Sequence, residues 1–477
     1  MVVRGVPRSL ARDAWWLDDA DPPEGLRPLP LLLVALVAAD WLAFGFWPGL
    51  GLALWFLLAG CVIALGRFRR ISMRQGLLAL AVLLVTVLPL IEVVQFGTLV
   101  VALAGLGAFA LVLSLPALSG AGFARALLRL PFAGIVQSVR DLFALRLPIP
   151  SQGRAKGILS DWALPLGIGA IFLLLFAAAN PVIDQFLYAL GRFEGVTLPD
   201  GWRIAFWVFF AALIWPLLRI TAMDRVLARA PRARQLRSGL VNDRSVLRAL
   251  IVFNGLFLAQ SVLDAGYLWG GVSLPEGMTY ATYAHRGAYP LLVTALLAGL
   301  FALVAQPYLG AKPWVRWLLY LWIAQNVLLV VSSILRLDLY VEAYGLTRLR
   351  VAAFVWMVVV ALGLLLIVMQ MWGERSRGWF LARAFGLGFL AIYACNLWNI
   401  DGLIARHNIS NGQGGSYLCG LGEGAVPVIL RAEKAGTFMV CQNTFDRPTL
   451  YARHDWREWG YRNWRLHRSV AAMEAVQ

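Results

Sequence analysis

The chain has 477 residues, of which 60% are hydrophobic and only 14% are charged, and its formal net charge is +16. A composition this apolar excludes an ordinary soluble globular protein and favours a chain that crosses the membrane several times. Helices are expected to make these crossings, because the apolar runs lack the alternating polarity of a membrane barrel. The predicted fold class is all-α, a polytopic helical membrane protein with about 11 transmembrane helices and a small C-terminal extramembrane tail.

The distribution of apolar residues divides the chain into three regions. Residues 1–28 are predicted to be a cytosolic segment, because they lack the pattern of a cleaved signal peptide. Residues 29–399 form the predicted transmembrane domain, and residues 400–477 form the predicted tail. The predicted spans, in chain order, are 30–47, 50–66, 76–92, 96–116, 162–188, 202–220, 246–268, 287–306, 315–335, 351–372 and 380–399.

Lysine and arginine are concentrated in alternate loops between these spans. If the N-terminus is cytoplasmic, the basic loops are cytoplasmic too, as the positive-inside rule requires, and the tail lies outside. The predicted location is therefore the bacterial cytoplasmic (inner) membrane. The basic loops are expected to attract the anionic lipids of the inner leaflet, and they do not resemble a nucleic-acid site, because aromatic residues are not interleaved with the charges.

Two segments are predicted to be helices that lie in the membrane interface. The first, near residues 122–147, places Phe132, Ile135, Val136, Val139, Leu142 and Phe143 on one face, and Pro131 is expected to separate it from the preceding helix. A helix that binds a protein partner is the alternative.

The second interfacial helix is predicted at residues 336–345, within the stretch "RLDLYVEAYGLTRLR". Leu337, Tyr340, Val341 and Tyr344 form an apolar and aromatic stripe, whereas Asp338 and Glu342 form an acidic one. Gly345 is the predicted end of the helix. Arg336, Arg348 and Arg350 are expected to pair with the acids or to bind lipid phosphate.

Acidic and amide side chains gather at the outer ends of the predicted spans. Ionisable groups at membrane depth are costly, so they normally face the bundle interior, water or a partner. One interpretation is a polar cavity that opens outward. The alternative is that each acid near a helix end simply reaches water. The candidate outward site comprises Asn180, Asp184, Gln260, Asp264, Arg286, Asp338, Glu342, Tyr344 and Arg348. Asp40, in the middle of the first span, is expected either to pair inside the bundle or to mark a tilted span.

The tail contains two cysteines, Cys419 and Cys441, that are a candidate disulfide if the tail lies in an oxidising compartment. Cys61 and Cys395 are interpreted as small apolar residues within helices. The four histidines are scattered without paired-ligand spacing, and no catalytic motif is recognised. The sequence therefore predicts no metal, no cofactor and no catalytic residues.

Four segments carry a resemblance to a known family: "MTYATYAHRGAYPLLVTALLAGLF", "LRLDLYVEAYGLTRLRVAAFVWM", "SYLCGLGEGAVPVIL" and "HDWREWGYRNWR". They resemble the bacterial integral-membrane family called domain of unknown function 4173, and its relatives, over residues 160–465. The resemblance implies a multi-pass bacterial membrane protein and implies no reaction. The tail cysteines are not part of the family pattern.

Three classes of function remain. The first is a non-enzymatic envelope sensor, scaffold or regulator, which the lack of catalytic motifs favours. The second is a secondary transporter with an outward-facing polar cavity, which the outer acids and deep amides favour. The third, a membrane glycosyltransferase, is disfavoured because the first outer loop, Trp47–Gly51, is short and uncharged.

Overall fold

A computed structural model describes the fold over most of the chain. The described residues are 28–67, 71–115, 120–144, 201–228, 243–266, 294, 297–303, 305, 313–413, 415–436 and 448–475. Within these ranges the chain forms helices and turns and no strand, which confirms the all-α class.

Ten helices of at least 16 residues precede the tail within the described ranges. They are α1 (Pro28–Ala43), α2 (Leu50–Leu65), α3 (Met73–Glu92), α4 (Phe96–Ser114), α5 (Gly120–Ala144), α6 (Gly201–Leu218), α7 (Asp243–Asp264), α8 (Pro313–Tyr344), α9 (Arg348–Trp372) and α10 (Arg377–Leu397). A short 3₁₀ turn (Ile220–Met223) and a four-residue helix (Asp224–Leu227) follow α6.

Seven of these helices are long and apolar enough to cross a membrane: α3, α4, α6, α7, α8, α9 and α10. α1 and α2 are equally apolar but have 16 residues each. These nine helices coincide with nine of the predicted spans. The predicted span 162–188 lies outside the described residues, and span 287–306 lies largely outside them, so the count of about 11 remains a prediction.

Two apolar cores hold the membrane helices together. The first lies among α1 to α6 and is centred on Trp55 and Phe56, which are almost completely buried. The second lies among α7 to α10 and includes Leu319 and Trp322. Small residues allow close packing in the first core: a Cβ on Gly105 would overlap the side chain of Thr86, so α3 and α4 approach closely at this point. α10 contacts α4 and α5 as well as α9, and it therefore joins the two groups of helices.

α5 differs from its prediction at Pro131. The helix continues through this proline, so the predicted break there is wrong. Pro131 removes one backbone hydrogen bond without ending the helix. α6 packs closely against this part of α5, where Pro216 lies beside Gly134. Phe132 and Ile135 on the predicted apolar face are 74% and 65% exposed. This face points away from the protein, while its placement in the membrane interface remains a prediction.

α8 differs from its prediction at Arg336. The sequence predicts a separate short helix over residues 336–345, but this segment forms the last turns of the 32-residue α8. The charge at Arg336 does not end the helix, because Asp264 of α7 pairs with it inside the bundle. The predicted stop is confirmed: α8 ends at Tyr344, and Gly345 has a φ of +76°, which glycine adopts without strain.

Within its described residues, the tail forms three α-helices and three short 3₁₀ turns that pack on one end of the membrane domain. The α-helices are α11 (Ile400–Ser410), α12 (Val426–Lys434) and α13 (Tyr461–Glu474). Ile404, Leu418 and Ile429 form a small core that also contains Val341 of α8 and Leu346 of the α8–α9 turn. Because the tail also contacts the α1–α2 turn and the end of α3, these parts of the membrane domain all lie on one side.

Candidate ligand site between the tail and the membrane helices

The tail is held to the end of α3 by a partly buried cluster of ion pairs. Glu92, at the C-terminus of α3, accepts hydrogen bonds from Arg462 (3.1 Å) and Arg465 (2.8 Å) of α13. Arg462 also donates to the backbone carbonyl of Asn396 at 2.9 Å, and it is only 9% exposed. A buried, hydrogen-bonded pair of this kind is costly to break, because removal of one partner leaves an uncompensated charge. The sequence separation of Glu92 and Arg462 is 370 residues.

A second attachment joins the tail to the α1–α2 turn. The backbone N–H of Leu50 donates to the carbonyl of Trp459 at 2.8 Å, and the N–H of Trp47 donates to the carboxylate of Glu458 at 3.1 Å. A Cβ on Gly49 would overlap the backbone of Glu458, so a glycine is needed for this close approach. The aromatic and arginine segment of the tail is thus seated on the protein, rather than lying freely on a membrane surface.

A third attachment forms at the α8–α9 turn. Arg348, the first residue of α9, makes a bidentate pair with Asp401 of α11, with distances of 2.7 and 2.8 Å. Asn408 of α11, which is 1% exposed, binds both the N–H (2.6 Å) and the carbonyl (2.9 Å) of Leu346. The tail is therefore fixed at three points around one region of the membrane domain.

A cavity of about 720 Å³ lies between these attachments. Its volume falls in the range of about 300–1,000 Å³ that is typical of small-molecule sites. Its polar part is formed by the tail, the end of α3 and the start of α9, and it includes Glu92, Arg348, Asp401, Glu423, Arg453, Glu458, Arg462 and Asn463. Its apolar part runs between α9 and α10. We call the whole space the junction cavity.

The apolar part of the junction cavity follows one face of each helix. On α9 it is lined by Ala352, Val355, Trp356 and Val359, and on α10 by Gly388, Ala391, Ile392 and Cys395, which have the three- and four-residue spacing of a single helix face. Gly388 leaves open space, since a Cβ added there would meet no atom within 4 Å. Gly386 is equally open but does not line the cavity.

The charged groups around the cavity are mostly paired with each other. Besides the pairs of Glu92 and Asp401, Glu423 accepts from Arg453 at 3.3 Å and from Asn463 at 3.0 Å. Glu458 accepts the Trp47 N–H and forms no ion pair with any other described residue. The lining thus contains three arginines and four carboxylates, and Arg465, which pairs with Glu92 from outside the lining, balances the fourth carboxylate.

The structure divides the predicted outward site into separate places. Asn180, Asp184 and Arg286 lie outside the described residues. Gln260 and Asp264 lie together on α7, where Asp264 accepts from Gln260 (2.8 Å), from Ser332 (2.6 Å) and from Arg336, which pairs with it closely. This pair is buried between α7 and α8.

The remaining predicted residues do not join that pair. Arg348 lines the junction cavity with Asp401. Asp338, Glu342 and Tyr344 are exposed on the last turns of α8. Of the described members of the predicted set, Arg348 lines the junction cavity, and the grouping of the whole set into one outward site remains a prediction.

Asp40 is paired with residues of a neighbouring helix, which is one of the two alternatives that the sequence left open. Its carboxylate receives two hydrogen bonds from Arg203 and one from Trp207 (2.9 Å), both on α6. The interpretation that Asp40 pairs inside the bundle is thus confirmed. The pair connects α1 to α6 and lies apart from the junction cavity.

The described cysteines differ in their bonding state. Cys61 and Cys395 are free thiols, whereas Cys419 is disulfide-bonded. Its pairing with Cys441 remains a prediction. Among the described residues no group of three or more His, Cys, Asp or Glu side chains is placed to hold a metal ion.

The fold and the site define a polytopic helical membrane protein whose C-terminal tail closes over a cavity between its helices. The profile of the family described as "Domain of unknown function (DUF4153)" matches residues 77–432, which is most of the chain, and the protein belongs to that family. The expected family, domain of unknown function 4173, is therefore corrected to DUF4153. The match also begins within α3, well before the expected start at residue 160. No curated protein and no solved structure matches the chain.

Proposed function

We propose that the protein is a non-enzymatic membrane sensor, in which a ligand in the junction cavity controls how firmly the tail is held. The observation that carries the proposal is the shared wall of the cavity, which is formed partly by α9 and α10 and partly by the tail. A ligand that contacts both walls binds more tightly when the tail is docked. By linkage, the same ligand stabilises the docked tail to the same extent.

The proposed location is the bacterial cytoplasmic membrane, with the N-terminus inside and the tail outside. The concentration of basic residues in alternate loops supports this orientation. The disulfide at Cys419 supports it as well, because disulfides persist in oxidising compartments such as the periplasm. The tail then presents α11, α12 and α13 to partners outside the cell membrane.

Hydrogen exchange of α13 tests the proposed coupling. Gly388→Phe places a ring in the apolar part of the cavity, far from the tail, and should displace the ligand without touching α13. Gly386→Phe is the matched control, because it adds the same ring to the same helix outside the cavity. Glu92→Gln weakens the ion pairs of Arg462 and Arg465, and it therefore provides the reference level of hydrogen exchange for a released tail.

The proposal predicts that Gly388→Phe raises the exchange of residues 461–474 towards the level of Glu92→Gln, while Gly386→Phe leaves it at the wild-type level. Equal exchange in both glycine variants would show that occupancy of the cavity is not transmitted to the tail.

A second candidate function, secondary transport, rests on polar groups buried between α7 and α8. Within the described ranges, the side-chain carbonyl oxygens of Asn254, Gln325 and Asn326 are buried and accept no hydrogen bond. Unpaired acceptors at membrane depth are expensive, so they favour a path or site for water, a proton or a cation. Solute uptake into proteoliposomes that is unchanged by Asp184→Asn and by Asp264→Asn would count against carboxylate-coupled transport.

A further inference from the structure

We infer that the junction cavity holds a bilayer phospholipid with a zwitterionic, amine-bearing headgroup, such as phosphoethanolamine. This inference names the ligand of the proposed sensor and rests on the same site. Three features of the site support this ligand: the depth of the apolar groove, its access from the bilayer and the charges at its rim.

The depth of the groove matches one leaflet. Gly388 lies nine residues before the end of α10, and Val359 lies eleven residues after the start of α9. At about 1.5 Å per residue, the apolar lining extends about 13–16 Å from the helix ends. Half of a hydrocarbon core of about 30 Å is about 15 Å. An acyl chain that starts at the rim therefore spans its own leaflet within the groove.

The groove is only partly enclosed by protein. Trp356 of α9 and Ile392 of α10 line it, and each is 46% exposed. A lipid can thus enter from the bilayer by lateral movement, without unfolding of the tail. Ala391 and Gly388 keep α10 narrow at this point, which leaves room for a chain beside Val355. A soluble polar ligand would gain nothing from this apolar half of the cavity.

The rim selects the headgroup. Arg348 is paired with Asp401 but its side chain is 51% exposed, so its guanidinium can also receive a phosphate. Glu458 has no ion pair with another described residue and can receive an ammonium group. Arg348 and Glu458 thus offer one positive and one negative group at the rim, which matches the two opposite charges of a zwitterionic headgroup.

Lipid retained by the purified protein tests the inference. The protein is reconstituted in nanodiscs of phosphatidylethanolamine and phosphatidylglycerol in equal parts, extracted into mild detergent and washed, and the retained lipid is quantified by mass spectrometry. Wild type and Gly386→Phe should retain an amine-bearing lipid. Gly388→Phe should reduce this retained lipid by about tenfold, equal to about 1.4 kcal/mol. Glu458→Gln, which keeps the size of the side chain, should remove the preference for phosphatidylethanolamine over phosphatidylglycerol.

Three results would overturn the inference: equal retention in Gly388→Phe and Gly386→Phe, preferential retention of phosphatidylglycerol by wild type, or an unchanged preference in Glu458→Gln. Failure of the sensor proposal is distinguishable from these. In that case lipid retention falls in Gly388→Phe as expected, but the hydrogen exchange of α13 stays the same.

Discussion

The buried pair of Asp264 and Arg336 gives the sharpest test of how the membrane domain is held together. Both side chains are 4% exposed, and the Asp264 carboxylate receives hydrogen bonds from Gln260, Ser332 and Arg336. Asp264→Asn keeps the shape of the side chain. It removes the charge that balances Arg336 and turns one of the two acceptor oxygens into a donor. The guanidinium is then left buried beside an amide.

The expected cost is large for a single substitution. Removal of one partner from a buried pair costs about 3–5 kcal/mol, because the other charge stays buried without compensation. The double variant Asp264→Asn with Arg336→Met removes the stranded charge and should recover most of this loss. Glu374→Gln is the matched control. Glu374 and Arg316 form a pair at 3.7 Å with side chains 77% and 46% exposed, and such a pair contributes about 0–1 kcal/mol.

The assay is reversible unfolding in mixtures of dodecyl maltoside and dodecyl sulfate, followed by circular dichroism. If the pair holds α7 against α8, the free energy of unfolding of Asp264→Asn should be several kcal/mol below that of Glu374→Gln. The double variant should lie between them. If Asp264→Asn unfolds within about 1 kcal/mol of wild type, or if the double variant is no more stable than the single one, the pair does not hold α7 against α8 as argued.

Three further predictions concern packing, the tail and topology. Gly105→Ala should lower the free energy of unfolding by about 1–3 kcal/mol, because the added methyl group overlaps the buried side chain of Thr86. Gly363→Ala, which places a methyl group in open space within α9, should raise it by up to about 1 kcal/mol. The same unfolding assay compares the two variants. Asn408→Ala should weaken the docking of α11 by about 1–3 kcal/mol, seen as faster hydrogen exchange over residues 400–410, because both polar groups of the Leu346 backbone lose their partner. Alkaline phosphatase fused after Gln477 should be active, and a fluorescent protein that matures only in the cytoplasm should not fluoresce when it is fused there. The reverse result would place the tail inside the cell.

The spans could be predicted because an apolar run is a local property. The span predicted at 351–372 corresponds to α9, Arg348–Trp372, and the one at 380–399 to α10, Arg377–Leu397. Gly345 was also recognisable as a helix end, since its backbone conformation depends on the residue itself. The continuation of α8 beyond Arg336 was not predictable in this way, because it depends on Asp264, which lies 72 residues away.

The junction cavity escaped sequence analysis for the same reason. Glu92 and Asp401 lie near the ends of predicted spans, but their arginine partners come from distant parts of the chain, 370 residues away for Arg462. The signal in the tail was the cluster of arginines among tryptophans near residue 460. That pattern is also typical of a membrane-surface segment, so it did not identify the contact with α3.

The most direct test of the central claim is a structure of the protein in a lipid nanodisc, determined by electron cryomicroscopy. If a lipid occupies the junction cavity, elongated density should lie between α9 and α10, from the level of Arg348 to the level of Gly388. The tail should be docked, with Arg462 against Glu92. A detached tail, or a docked tail over a groove that side chains fill completely, would contradict it.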